Sequence, residues 1–168
     1  MSDAMRDAIS GAPALEGMNW FHRMHAGLAP RAPVADLLGS VIRHVDVVAG
    51  VLEVDYLAAA SFANPAGGVQ GGMLGAMLDD LCAGLVDATL RPGEHVATLN
   101  LNLSFLRGAR LSAAGGALQG RATLQRRGRE VCHVAAELRQ GGQLVATAVA
   151  SCSAVVPKPG PKTDAPAA

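Results

Sequence analysis

Aromatic side chains are almost missing: the 168 residues include one Trp, one Tyr and three Phe. Lys plus Arg equals Asp plus Glu at 14 each, so the chain lacks both the stacking surface and the positive field that nucleic-acid binding uses. Cysteine is scarce and odd in number. Cys82, Cys132 and Cys152 stand far apart, with no CxxC and no Cys/His spacing, which argues against a disulfide framework or a structural zinc site and for buried thiols in a reducing compartment. The five histidines are equally scattered, and no metal is expected. No apolar run reaches the roughly 18 residues of a membrane span, and the opening MSDAMRDAIS has no signal-peptide apolar core. These absences lead us to expect a cytoplasmic protein with neither nucleic-acid nor membrane partner.

What is present is a globular profile, half hydrophobic and 17% charged, in a length that fits one domain with a real core. We expect a loose leader over 1–13, a single domain over 14–156, and a disordered tail over 157–168, where PKPGPKTDAPAA is rich in Pro and small residues. ALEGMNWFHRMHAGL and APRAPVADLLGS predict one or two short helices. SVIRHVDVV and VLEVDYLAA predict a hairpin turning at Ala49 and Gly50. In HVATLNLNLSFLR, Leu99, Leu101, Leu103 and Phe105 alternate with polar residues, which predicts a strand with one buried face. ALQGRATLQRR, REVCHVAAELRQ and QLVATAVASCSAVV continue the pattern, with turns at RRGRE and RQGGQ. The fold class is therefore α+β: five or six antiparallel strands, with one long helix inserted after the second.

That helix is predicted over 71–90, which is free of proline and ends at Arg91, Pro92 and Gly93. Leu74, Leu78, Leu81 and Leu85 form a stripe that should lie on the sheet. Asp79 falls on a flank with Gly72, Ala76 and Ala83, while Asp80 falls near Asp87 and Met73 on another. Asp80 with Asp87 reads as a solvated edge. Asp79 is ringed by residues too small to cover it, so a partner helix or a substrate can approach, although a capped structural Asp also fits. An ionised carboxylate in such a place is costly unless something compensates it.

GGVQGG stands directly before the helix, where the first amides have no intrahelical partner. Two readings are open: a tight turn that needs glycine, or a backbone cradle for an oxygen that becomes negative during reaction. A carboxylate two turns into the same helix favours acyl transfer, by activating water or by attacking an acyl carbon. GxSxG, P-loop, HExxH and dinucleotide motifs are all absent. Cys82 has no His nearby in sequence and reads as core.

The segment from Asn64 to Asp79 resembles the signature of the hotdog-fold thioesterases of the phenylacetic-acid-degradation type: N, spacer, G, then HGG and an acid nine residues after the His. Asn64, Gly67, Gly71, Gly72 and Asp79 fall in register. GREVCHVAAELRQGGQLVATAVAS is similar to that family's last two strands, and the likeness extends over about 34–155. It implies a long helix wrapped by a five- or six-stranded antiparallel sheet, and hydrolysis of an acyl-CoA thioester without metal or redox cofactor. It also implies a homodimer or dimer of dimers with the site at the subunit interface. By the same likeness Asp79 is the general base or nucleophile, Gly71 the oxyanion donor, Gly72 its substrate-side neighbour, Asn64 a positioner of substrate or water, and Thr98 a hydroxyl that orients the attacking water.

Gln70 stands where the family usually has His, and its amide can hold the loop or donate to the thioester oxygen but cannot titrate near neutral pH. This leaves a non-catalytic acyl-CoA binder as an alternative, whereas a dehydratase would need the missing His. Arg126, Arg127 and Arg129 at the RRGRE turn are the candidate cations for CoA phosphates, with Arg107 and Arg110 behind them. Met73, Met77 and Trp20 read as core or as the wall of an acyl tunnel.

Overall fold

The computed structural model describes residues 9–10 and 18–156. Most of the expected leader and all of the Pro-rich tail lie outside those residues. Ile9–Ser10, within the expected leader, form a two-residue strand, β1. Two short helices follow. In α1 (Trp20–His25) the side chain of Asn19 caps the start by accepting from the His22 amide at 3.1 Å. In α2 (Pro33–Leu37) a proline opens the first turn, where no amide is needed.

The hairpin pairs β2 (Val41–Asp46) with β3 (Val51–Tyr56). Its first strand stops earlier than the apolar pattern implies because Asp46 Oδ1 accepts from the amides of Val48 and Ala49, at 2.9 and 2.8 Å, turning the chain there. The long helix α3 (Gly71–Ala88) comes next, then β4 (His95–Phe105), the short α4 (Ser112–Gly115), β5 (Leu118–Arg127), β6 (Val131–Gln140) and β7 (Gln143–Val155). Gly141 and Gly142, at φ 56° and 78°, form the two-residue turn between β6 and β7 that matches strand twist. The sheet runs β1-β2-β3-β5-β6-β7-β4, antiparallel except where β1 joins β2. This is the expected six-stranded sheet around one helix, with a small parallel addition.

Packing follows the leucine stripe. Leu74, Leu78, Leu81 and Leu85 are all buried against the sheet, each worth roughly 1.5–3 kcal/mol of burial. Opposite them, β6 turns Cys132, Val134, Ala136 and Leu138 inward and β7 turns Ala146, Ala148, Ala150 and Cys152 inward. The alanine column lets the helix lie close to the sheet.

β4 departs from its expected pattern. A bulge between Thr98 and Asn100 resets the alternation. Val96 and Thr98 are half-buried before it, and Leu101 after it, while Leu99 is thrown outward and is 60% exposed. Leu103 and Phe105 still face the helix start, since a Cβ on Gly75 would lie 3.0 Å from Leu103 and one on Gly71 would lie 3.5 Å from Phe105. Both remain partly exposed, Phe105 more than Leu103, because β4 is the edge of the sheet.

Candidate active site

The loop before α3 is tied to itself by Asn64. Its Oδ1 accepts from the amides of Ala66 and Gly68, each at 3.0 Å, and its Nδ2 donates to the Val69 carbonyl at 3.3 Å. Gly67 sits at φ 78°, which only glycine adopts readily, and its amide closes onto the Asn64 carbonyl at 2.9 Å. The Val69 amide bonds the Ala109 carbonyl at 2.9 Å, strapping the loop to the segment after β4. Asn64 thus holds the loop in place.

At the helix start the Gln70 carbonyl takes the Met73 and Leu74 amides, at 2.9 and 3.3 Å. Gly71 and Gly72 donate to no group among the described residues, so their amides point outward at the positive end of an 18-residue helix. Gly67 serves the turn, while the amides of Gly71 and Gly72 are left without a partner among the described residues. Gly71 opens onto a groove of about 300 Å³ lined by Leu74, Phe105, Arg107 and Gly108. The side chain of Gln70 is exposed and makes no cap bond.

Two turns further along, Asp79 Oδ1 accepts the hydroxyl hydrogen of Thr98 at 2.8 Å. The bulge that expels Leu99 is what turns Thr98 inward to make this contact. Asp79 is half-buried and looks into a cavity of about 320 Å³. Its walls are apolar, drawn from Trp20 and Met24 of α1, Ile42 of β2, Val54 of β3 and Val96 of β4, with Ala76, Ala83 and Gly84 as a low floor along α3. Trp20 therefore lines the chamber, whereas Met77 is fully buried core.

Asp80 and Asp87 do not form a solvated edge. Both line the same chamber. Asp80 accepts from the buried Tyr56 hydroxyl at 2.9 Å, and burial raises its pKa; burial pushes Asp87 up to about 6. At 100° per residue the two acids and Asp79 bracket Ala76 and Ala83 on one broad face, opposite the leucines. Residues as small as these leave a hollow rather than a solvated surface, because α1 and α2 roof it.

A family model described as Thioesterase superfamily matches residues 66–147. A phenylacetic acid degradation-related protein of Ralstonia eutropha JMP134, provisionally named a thioesterase, is 60% identical over 80% of this chain and 99% of its own, with a TM-score of 0.77. The chain belongs to the thioesterase superfamily. The PaaI protein of the Escherichia coli phenylacetic acid degradation operon shares the fold at 18% identity, covering 80% of this chain and 93% of its own, TM-score 0.69. So does a hypothetical thioesterase from Streptococcus pneumoniae TIGR4 solved with coenzyme A, at 19% identity over 70% and 86%, TM-score 0.62. No match was found among curated protein sequences.

Several candidate residues of this thioesterase superfamily member lie apart. Arg127 and Arg129 sit beyond the C-terminal end of α3, around a hollow shared with Thr89 and Glu94, and Arg126 lies on β5 opposite His133 of β6. Arg127 is engaged there, donating to Glu94 at 3.0 Å, and Arg129 is 93% exposed beside Glu130. Arg107, ranked behind them on sequence alone, lies in the groove with Gly71; its link to the site is spatial. Cys82 is buried, and its thiol is pushed up to about 12 by that burial, so it stays protonated. Among the described residues no three His, Cys, Asp or Glu side chains converge as metal ligands, and no helix is long and apolar enough to cross a membrane.

Proposed function

We propose that the protein hydrolyses acyl-CoA thioesters at a site built by two copies of the chain. One copy supplies Asp79 with Thr98 and the acyl chamber, and the other supplies the amides of Gly71 and Gly72. The observation that carries this is the Asp79–Thr98 pair opening onto an apolar chamber. Within one chain, eight residues separate Gly71 from Asp79, about 12 Å of helix. A single thioester carbonyl needs its oxyanion donors and its attacking oxygen each at roughly 3 Å. The exposed Leu99, Leu103 and Phe105 of edge strand β4 offer a surface on which a second copy can seat.

In this mechanism Asp79 acts as general base. Thr98 holds one carboxylate oxygen and keeps lone pairs for a water hydrogen. The other oxygen takes a proton from that water as its oxygen bonds the acyl carbon. Negative charge collects on the carbonyl oxygen at the amides of Gly71 and Gly72. The carbon–sulfur bond then breaks, and the CoA thiolate leaves and takes up the proton. Asn64 contributes through the loop, and Arg107, in the groove with Gly71, is the cation for CoA phosphates. The coenzyme A in the pneumococcal neighbour supports the choice of thioester.

Thiol release over a panel of aliphatic and aromatic acyl-CoAs tests the activity. Asp79→Asn should lower kcat by about 100-fold or more without unfolding the protein. Mixing Asp79→Asn with Gly71→Val protomers, each inactive alone, should regain about a quarter of the native rate, since random pairing makes about half the dimers mixed and each mixed dimer holds one intact site of two. Turnover by Asp79→Asn alone at the native rate removes Asp79 from the mechanism, and no recovery on mixing removes the shared site. The exposed Gln70 favours one second reading, a slow or silent binder, for which Gln70→His should raise turnover.

A further inference from the structure

We propose that the chamber beside Asp79 is built for an acyl group that is apolar along its length and ends in a hydroxyl, received by the carboxyl group of Asp87. This rests on the thioesterase reading of Asp79. The chamber has four polar side chains on its wall, Ser40, Asp79, Asp80 and Asp87. Asp79 is held by Thr98, and Asp80 by the Tyr56 hydroxyl. Asp87 accepts from no side chain among the described residues.

Its neighbours cannot serve it. Asn19 donates instead to the main-chain carbonyls of Asp87 and Leu90, at 2.7 and 3.0 Å, and His22 Nε2 lies 2.8 Å from the Ala88 carbonyl. Both are spent on closing the end of α3. His95 acts on Asp87 through its charge, with no bond between them. Asp87 is half-buried and open to water in the chamber; a chain that fills the chamber displaces that water, and leaving the acceptor without a donor then costs about 1–3 kcal/mol, which a ligand hydroxyl recovers.

A hydroxyl suits this wall better than an ammonium group. An ammonium must shed its hydration among Trp20, Val34, Ile42, Val54 and Val96, at far greater cost than a hydroxyl. The chamber already holds one hydroxyl-to-carboxyl pair of the same kind, Tyr56 on Asp80. Position sets the length. Asp87 lies eight residues beyond Asp79, about 12 Å along the helix, and Ala83 and Gly84 keep the floor between them low. With the thioester carbon at Asp79, a medium-length ω-hydroxyacyl chain lying along that floor brings its terminal oxygen to Asp87. A plain chain of equal length leaves Asp87 unserved.

The test compares ω-hydroxyoctanoyl-CoA with octanoyl-CoA by thiol release, and their non-hydrolysable thioether analogues by calorimetric binding, on the full chain. The native protein should favour the hydroxylated member about tenfold or more in both measurements. Asp87→Leu should reverse the order, and Asp87→Asn, which keeps an acceptor oxygen, should retain part of the preference. Equal or inverted ratios in the native protein overturn the inference, as does a preference that survives Asp87→Leu. If the leucine variant fails to fold, the native ratio and the asparagine variant decide. Binding preference without thiol release overturns the hydrolytic reading and supports the chamber's selectivity; thiol release without preference does the reverse.

Discussion

Asp87→Asn should stabilise this protein at pH 8 relative to pH 4.5. Burial raises the Asp87 carboxyl from 3.8 to about 6, so the folded chain holds a proton there that the unfolded chain has already released. As pH rises between about 4 and 6 the native protein loses stability through this group, and above 6 the full cost remains. A displacement of that size corresponds to about 3 kcal/mol. Water reaching the partly open chamber screens it to about 1–2 kcal/mol. Asparagine carries no charge and lacks this slope, while its own amide contributes a term that is the same at both pH values. The difference in melting temperature, variant minus native, should therefore be about 3–6 °C larger at pH 8 than at pH 4.5. Calorimetric or circular-dichroism melts at the two pH values measure it. A difference that is flat with pH, or that shrinks toward pH 8, refutes the placement of Asp87 in a desolvated chamber.

Thr98→Val keeps the shape of the side chain but leaves Asp79 Oδ1 without its donor; kcat should fall about tenfold with KM little changed, and an unchanged kcat in thiol-release assays would remove Thr98 from the mechanism. Asn64→Ala strips two loop amides of their acceptor and should cost about 1–2 kcal/mol in urea unfolding. The same variant should lose more in kcat than its stability loss implies, since the loop sets where the Gly71 amide points; an effect on stability alone would make Asn64 purely structural.

The sequence by itself determined the secondary structure and its class. The leucine stripe of α3, the two-residue period of β6 and β7, and the Gly-Gly turn between them are local signals, set by side-chain geometry over one or two turns or pairs. The spacing from Asn64 through Gly71 to Asp79 is local too, since one loop and the helix it opens carry all of it. The tertiary structure decided what those residues face. The bulge that turns Thr98 onto Asp79 depends on pairing with β7, and nothing in the alternation of β4 announces it. Asp80 and Asp87 look solvated in a helical projection because the projection cannot show α1 and α2 lying across them. Arg107 stands far from Gly71 in sequence and beside it in space, while the more conspicuous RRGRE turn ends up past the far end of the helix. Hydrophobic period is a property of one element, but burial, and with it the pKa of a carboxyl, belongs to whatever the rest of the chain packs against that element.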